Sequence, residues 1–217
     1  MNYRDVQVMI EEGEGFELEF KRKVSSEEKI ARTLIAFANT RGGTLLFGVD
    51  DDHSVVGVGS EKEEIELIRM AGLNWCDPPI DPEIEVVSCK GKDVIVVAVD
   101  ESHEKPHVLM TATDDDDGGT RVYIRVNDKT VEASKEVVRI IEAENPDAPP
   151  LRIAIGDIER TLLDYLDKHE RITVKQYADL VNVSCRRASR SLIQLTRAGV
   201  LRIHTHEKED FYTRAFD

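Results

Sequence analysis

The chain has 217 residues, of which 41% are hydrophobic, and its formal net charge is −14 at pH 7. This composition is typical of a globular protein with one domain or two modest ones, and it contains no apolar run long enough to span a membrane. The negative charge argues against indiscriminate binding of nucleic acid, so a nucleic-acid site would have to be a local basic patch. No signal-peptide layout is present, and Cys76, Cys89 and Cys185 lack zinc spacing, which together predict a cytoplasmic protein with reduced thiols.

A strand, a helix and a second strand are predicted between residues 14 and 50. Residues 14–23 alternate between apolar and charged side chains, which predicts a strand. The next segment has a serine cap and apolar residues at helical spacing, and Gly42-Gly43 ends this predicted helix. The apolar segment 44–49 predicts a strand that could pair beside the first.

Three carboxylates lie at the ends of these two strands, namely Glu14, Glu19 and Asp50. Clustered carboxylates repel one another, so they are tolerated when water solvates them or when a divalent cation neutralises them. On the residues alone, solvated acids at a sheet edge and a metal site are both open.

A short strand, a helix and a long hairpin are predicted next. Residues 55–59 are predicted to form a strand that returns on the preceding one. Ser60 caps a predicted helix over 61–73. Residues 83–89 and 93–100 predict a hairpin, and its second arm is nearly all apolar and β-branched, which is typical of the central strand of a sheet.

A second hairpin is predicted to join 107–113 to 120–126 across an acidic, solvated tip. Arg121 and Arg125 alternate to one face of its returning strand, where they are candidate nucleic-acid contacts.

The motif E-x-x-x-x-E-F-K at 14–21, followed by A-F-A-N-T-R-G-G and T-L-L-F-G-V-D-D, resembles the schlafen AlbA-type ("divergent AAA") domain of bacteria and archaea. The resemblance covers about residues 8–142 and implies an α+β fold with a mixed sheet and flanking helices. Members of the family often carry a glycine where this chain has Asn127, and asparagine tolerates the left-handed turn that this position implies. In animal schlafens this fold supplies a three-carboxylate, metal-dependent ribonuclease site, which would fall on Glu14, Glu19 and Asp50. Most bacterial relatives are instead described as nucleic-acid-binding regulators.

A second domain is predicted after the proline-rich segment N-P-D-A-P-P. This segment predicts a linker at 146–150 that separates a domain over 1–145 from one over 151–217. A helix over 135–144 is predicted to close the first domain. The predicted elements of the second are helices at 157–168, 174–181 and 184–197 and strands at 200–204 and 211–214. This order predicts a winged helix-turn-helix domain, and L-T-R-A-G-V-L-R resembles the third-helix exit of many such regulators.

The third helix of this domain begins with Arg186, Arg187 and Arg190, and it also carries Ser189 and Gln194. A recognition helix presents its contacts to base edges and phosphates at this position. Three arginines within five residues of an acidic chain therefore predict DNA contact.

Together these features predict a cytoplasmic, homodimeric DNA-binding regulator of transcription that uses the winged helix. The alternative is a nuclease acting on RNA or single-stranded DNA, in which Glu14, Glu19 and Asp50 hold Mg²⁺ or Mn²⁺ to activate water. In that alternative Lys21 could stabilise a phosphate oxygen. A third hypothesis is a purely structural dimerisation module in which the acidic pocket is not used.

Overall fold

A computed structural model describes residues 1–110, 121–144, 151, 155–206 and 209–215. The chain divides into two compact units, Met1–Glu132 and Ala133–Asp217. The predicted acidic hairpin tip at 114–117 and the predicted linker at 146–150 lie outside the described residues. Within the described part, no helix is both long enough and apolar enough to cross a membrane.

The first unit is an α+β structure built on a mixed sheet. In chain order its elements are α1 (Tyr3–Glu12), β1 (Leu18–Lys21), α2 (Glu27–Ala38), β2 (Gly43–Phe47), α3 (Glu61–Asn74), β3 (Cys76–Asp77), β4 (Glu83–Cys89), β5 (Lys92–Val99), β6 (Val108–Leu109), β7 (Tyr123–Val126) and β8 (Lys129–Glu132). Four strands form the main sheet in the order β1-β2-β5-β4. The predicted pairing of β1 with β2 is confirmed and is parallel, with Glu19 beside Leu45. β5 lies between β2 and β4, which confirms its predicted central position.

Helix α2 fills the core of this unit. Ser26 caps it by accepting a hydrogen bond from the Lys29 amide, and Leu34 and Phe37 are fully buried against the sheet. Gly42 follows the end of the helix and takes a positive φ of 74°. A side chain at Gly42 would place its Cβ 2.6 Å from the Val99 carbonyl oxygen, so this close approach of the backbones requires glycine.

The predicted strand over 55–59 is wrong. Val49 and Val55 form an isolated bridge, and the amides of Val56 and Gly57 both donate to the Gly48 carbonyl oxygen instead of continuing a ladder. Gly48 and Gly57 adopt positive φ values of 94° and 77°. Because both segments leave the extended conformation at these glycines, a continuous ladder cannot form between them.

The second predicted hairpin is described only in part, because residues 111–120 of its two arms lie outside the described residues. In the described part of the arms, β6 pairs with β3, and Leu109 forms an isolated antiparallel bridge with Arg121. β7 pairs instead with β8, a strand that was not predicted from the sequence. The turn between β7 and β8 contains Asn127 at φ 56°, so the expected left-handed asparagine is confirmed.

The second unit contains four helices and one β-hairpin among its described residues: α4 (Lys135–Glu142), α5 (Asp157–Leu166), α6 (Val174–Leu180), α7 (Cys185–Arg197), β9 (Leu201–His204) and β10 (Phe211–Arg214). Each element was predicted, with its ends shifted by two residues or fewer. Helix α4 was expected to close the first domain, whereas the structure groups it with the second unit. Most residues between α4 and α5 lie outside the described part.

The buried face of α7 organises the core of the second unit. Ala188, Leu192 and Leu195 are fully buried and pack with apolar residues that include Tyr177 and Tyr212. Because these three α7 residues face the core, residues on the opposite side of the helix face outward.

Candidate nucleic-acid interface

The outward side of α7 carries the three predicted arginines. Arg186, Arg187 and Arg190 are all exposed. In the part of the chain that the structure describes, no hydrogen bond or ion pair engages their guanidinium groups. Arg186 and Arg190 are four residues apart on the helix and therefore lie on the same side. The structure thus places an unneutralised basic patch on α7.

A groove of about 780 Å³ runs beside this patch, between α7 and the N-terminal end of α5. It is lined by the three arginines and by Gly156, Asp157, Ile158, Glu159, Ser184, Ser191 and Gln194. The Glu159 carboxylate is already bonded, since it accepts hydrogen bonds from the Gly156 amide at 3.0 Å and from Ser191 Oγ at 2.9 Å. These bonds fix the position of the Glu159 carboxylate. Gln194 is half-buried and lines the groove.

Ser189 does not belong to this patch, which corrects the prediction that it contacts nucleic acid. The residue is 3% exposed, and its Oγ donates a hydrogen bond of 2.7 Å to the Glu136 carboxylate of α4. The reason is that α4 packs over this side of α7. A hydroxyl buried in that contact has no open path to a phosphate or a base.

The prediction that Arg125 contacts nucleic acid is also corrected, because its guanidinium group is bonded inside the first unit. None of its side-chain surface is exposed. It donates hydrogen bonds to the carbonyl oxygens of Gly15 at 2.8 Å and Phe16 at 3.3 Å and to Thr130 Oγ1 at 3.1 Å. It also pairs with Glu19. Arg125 therefore ties the loop before β1 to β7 and cannot reach a nucleic acid in this arrangement.

Arg121 is half-buried beside its bridge to Leu109. No observation assigns its side chain to a ligand, so its contact with nucleic acid stays a prediction.

Glu19 lies between two cations. The residue is 7% exposed, its Oε1 pairs with Lys21, and its Oε2 pairs with Arg125. Both carboxylate oxygens are therefore occupied by side chains of the same unit. A metal ion at this position would have to displace one of these partners.

The other two candidate carboxylates have separate partners. Glu14 Oε1 accepts a hydrogen bond of 2.8 Å from the Phe20 amide, and Asp50 Oδ2 accepts one of 2.9 Å from Arg22. Within the described residues, no group of three or more His, Cys, Asp or Glu side chains is arranged to hold a metal ion. As arranged, the three carboxylates do not fit Mg²⁺ or Mn²⁺, because each is already bonded to another group of the protein. Binding of either ion by Glu14, Glu19 and Asp50 stays a prediction.

A comparison with protein families identifies the first unit. The Schlafen, AlbA_2 family matches residues 14–134, which is more than half of the chain. The protein belongs to this family. The match confirms the resemblance carried by the E-x-x-x-x-E-F-K motif, and the mixed sheet with its flanking helices confirms the expected α+β fold. The matched region of this AlbA_2 protein ends two residues beyond the first unit.

Two solved structures resemble parts of the chain. The DIP2311 protein of Corynebacterium diphtheriae aligns over 70% of this chain and 32% of its own, with 16% identity and a TM-score of 0.47. The N-terminal domain of a RecG-related protein from Nitrosomonas europaea aligns over 50% of this chain and 82% of that domain, with 25% identity and a TM-score of 0.43. The chain thus spans about a third of the length of the Corynebacterium protein. A search of curated proteins gives no match.

Proposed function

We propose that this AlbA_2 protein binds DNA through α7 of its second unit and acts as a regulator of transcription. The observation that carries the proposal is the exposed patch of Arg186, Arg187 and Arg190, which forms no ion pair with an acidic side chain among the described residues. The chain contains 43 acidic and 29 basic residues. In such a chain, a basic surface without acidic partners is specific evidence for an anionic ligand.

The order of elements in the second unit supports a winged helix-turn-helix assignment. Helices α6 and α7 are joined by a short turn in which Asn182 takes a φ of 50°, and the antiparallel strands β9 and β10 follow α7. In winged helix-turn-helix domains the third helix enters the major groove and the hairpin forms the wing. On this assignment α7 is the recognition helix. Residues 207–208 of the wing tip lie outside the described part.

The binding test uses a short random-sequence DNA duplex and fluorescence anisotropy at several salt concentrations. The variant Arg186→Ala/Arg187→Ala/Arg190→Ala removes the patch. Its matched control, Arg4→Ala/Lys23→Ala/Lys62→Ala, removes the same charge from exposed positions of the first unit. The six side chains are exposed, so both variants should fold as judged by circular dichroism.

We expect the α7 variant to bind at least about tenfold more weakly, and the dependence of log K on log salt to flatten by about 0.9 for each phosphate that the variant no longer neutralises. The control should bind nearly as the unmodified protein does. Equal binding by the two variants, or no binding by the unmodified protein at low salt, would refute the proposal.

Regulation of transcription requires sequence-selective binding in addition. Repeated selection from random duplexes should enrich one site, and two-fold symmetry in that site would indicate the homodimer that regulators of this kind commonly form. Failure to enrich any site would leave a non-specific binder and overturn the regulatory role. We do not propose the nuclease alternative, because the oxygens of Glu19 are bonded to Lys21 and Arg125.

A further inference from the structure

We propose that α7 binds double-stranded DNA. One strand of the duplex would lie on the α5 side of α7, and Arg139 of α4 would bind a phosphate of the other strand in a groove between α4 and α7. This inference rests on the proposed function and adds a residue and a ligand class to it. The groove between α4 and α7 is separate from the groove between α5 and α7 described above.

The α4–α7 groove has a volume of about 450 Å³ and a strongly basic lining. Its lining residues are Arg139, Glu142, Ala143, Arg186, Arg190, Ile193, Gln194 and Arg197. Arg197 is already engaged within the protein, and without it three arginines and one glutamate line the α4–α7 groove, whereas the α5–α7 groove has three arginines and two acidic residues. The α4–α7 groove is therefore the more favourable of the two for a phosphate.

The packing of α4 on α7 gives this groove a fixed wall. Glu136 accepts the hydrogen bond from Ser189 Oγ, and Val137, Ile141 and Ile193 are buried. A hydrogen bond from Ser134 to Asp210 adds a second attachment of α4 within this unit. These contacts lock the backbone of α4, so the base of the Arg139 side chain has a fixed position beside α7.

Arg139 itself is available for a ligand. It is exposed, and in the described part of the chain its guanidinium makes no hydrogen bond or ion pair. Glu142 is the acidic group that faces the same groove. A phosphate would bind beside Arg139 and would be repelled by Glu142, so the two side chains should affect binding in opposite directions.

The two grooves share a ridge. Arg186, Arg190 and Gln194 line both of them. When a helix enters the major groove of B-DNA, which is about 12 Å wide, a sugar-phosphate strand passes on each side of it. A ridge with basic surface on both sides matches that geometry, whereas a single strand needs only one of the two grooves.

The experiment compares single substitutions in the full chain on a random-sequence duplex and on one of its strands. Arg139→Ala should weaken duplex binding about threefold to tenfold and reduce the salt slope by about 0.9, as expected for one phosphate contact. Arg160→Ala is the matched control, since Arg160 is exposed on α5 of the same unit and lines neither groove. Glu142→Gln should strengthen duplex binding, while Glu170→Gln, a control at another exposed glutamate, should not.

Equal duplex affinities for Arg139→Ala and Arg160→Ala would overturn this inference while leaving the proposed function intact. A weakening on the single strand as large as that on the duplex would overturn the assignment of Arg139 to a second strand. If the unmodified protein binds neither ligand, the proposed function fails as well. A weakening by Arg139→Ala that is confined to the duplex, together with tighter binding by Glu142→Gln, supports the inference.

Discussion

Replacing Arg125 with methionine should destabilise the first unit far more than the same replacement at an exposed arginine. Methionine retains an unbranched, adaptable side chain but removes the charge and every donor. The carbonyl oxygens of Gly15 and Phe16 would lose the donors that Arg125 supplies. Glu19 would lose one of its two cationic partners.

The size of the expected decrease in the free energy of unfolding follows from the burial of the Arg125–Glu19 ion pair. Removing one partner of a buried ion pair costs about 3–5 kcal/mol, because the remaining charge and its neighbours are left without compensation. The side chain of Lys21 stays beside Glu19 and is 37% exposed, so part of the Glu19 charge remains neutralised by a group that water also reaches. We therefore expect the lower end of that range, about 3 kcal/mol.

The control is Arg22→Met, which breaks the ion pair with Asp50. Those two side chains are 67% and 30% exposed, and solvent-exposed pairs contribute about 0–1 kcal/mol. Urea unfolding followed by tryptophan fluorescence measures both variants, because Trp75 is the single tryptophan and lies in the first unit. A destabilisation at Arg125 no larger than that at Arg22 would refute a structural role for the buried pair.

Three further predictions follow from packing and charge. Gly72→Ala should lower the free energy of unfolding by about 1–3 kcal/mol, because its Cβ would lie 2.0 Å from the Ile80 carbonyl oxygen. The control is Gly59→Ala, whose Cβ meets no atom within 4 Å. Equal urea midpoints for the two variants would contradict this prediction. A thiol reagent should modify one cysteine in the native protein and three after denaturation. Cys185 is exposed, whereas Cys76 and Cys89 are buried and burial raises the pKa of Cys76 to about 12. Rapid reaction of a second thiol in the native protein would contradict this prediction. The three candidate metal-binding carboxylates are bonded within the protein, so we expect no chelator-sensitive cleavage of RNA or single-stranded DNA; cleavage that stops with EDTA would establish the nuclease instead.

Features that depend on neighbours along the chain were predictable from the sequence. The helix caps are an example, because a serine or threonine before an apolar-periodic segment bonds to amides within the next turn. Ser60 caps α3 as predicted, and Ser26 is the serine cap expected for α2. Ser134, Thr173 and Ser184 cap α4, α6 and α7 in the same way. Alternation and β-branched content likewise located β1, β2 and β5, since both properties describe the strand itself.

Features that depend on distant parts of the chain were not predictable. Glu19 and Arg125 are 106 positions apart, and no local pattern indicates that the cation beside this acid is an arginine rather than a metal. Arg125 was expected on a surface because strand alternation gives a face but does not say what covers it. The covering element is the loop at residues 15–16, which meets β7 only in the folded protein.

The same limitation explains why the sequence did not indicate Arg139 as a candidate DNA contact. The proline-rich segment after α4 indicated a boundary, so α4 was interpreted with the first domain and never placed against α7. Its own sequence contained a sign, since Val137 and Ile141 lie one turn apart and form an apolar face opposite the charged residues. An amphipathic helix needs a surface to cover, and in the structure that surface includes Ser189 and Ile193 of α7.

If α7 binds DNA as proposed, the acidity of the chain and the basic surface of this helix have a joint consequence. A net charge of −14 repels the phosphate backbone at long range, which suppresses non-specific adsorption. In the proposed complex, the arginines of α7 and α4 that lie within about one Debye length of a phosphate, 8 Å at physiological salt, would outweigh that repulsion. Because non-specific sites in a genome compete with the target, a protein that binds them weakly needs fewer specific contacts to reach a given occupancy of its site. On this proposal, a compact set of arginines on α7 and α4 would suffice for DNA binding by an acidic protein, provided that no acidic side chain neutralises them first.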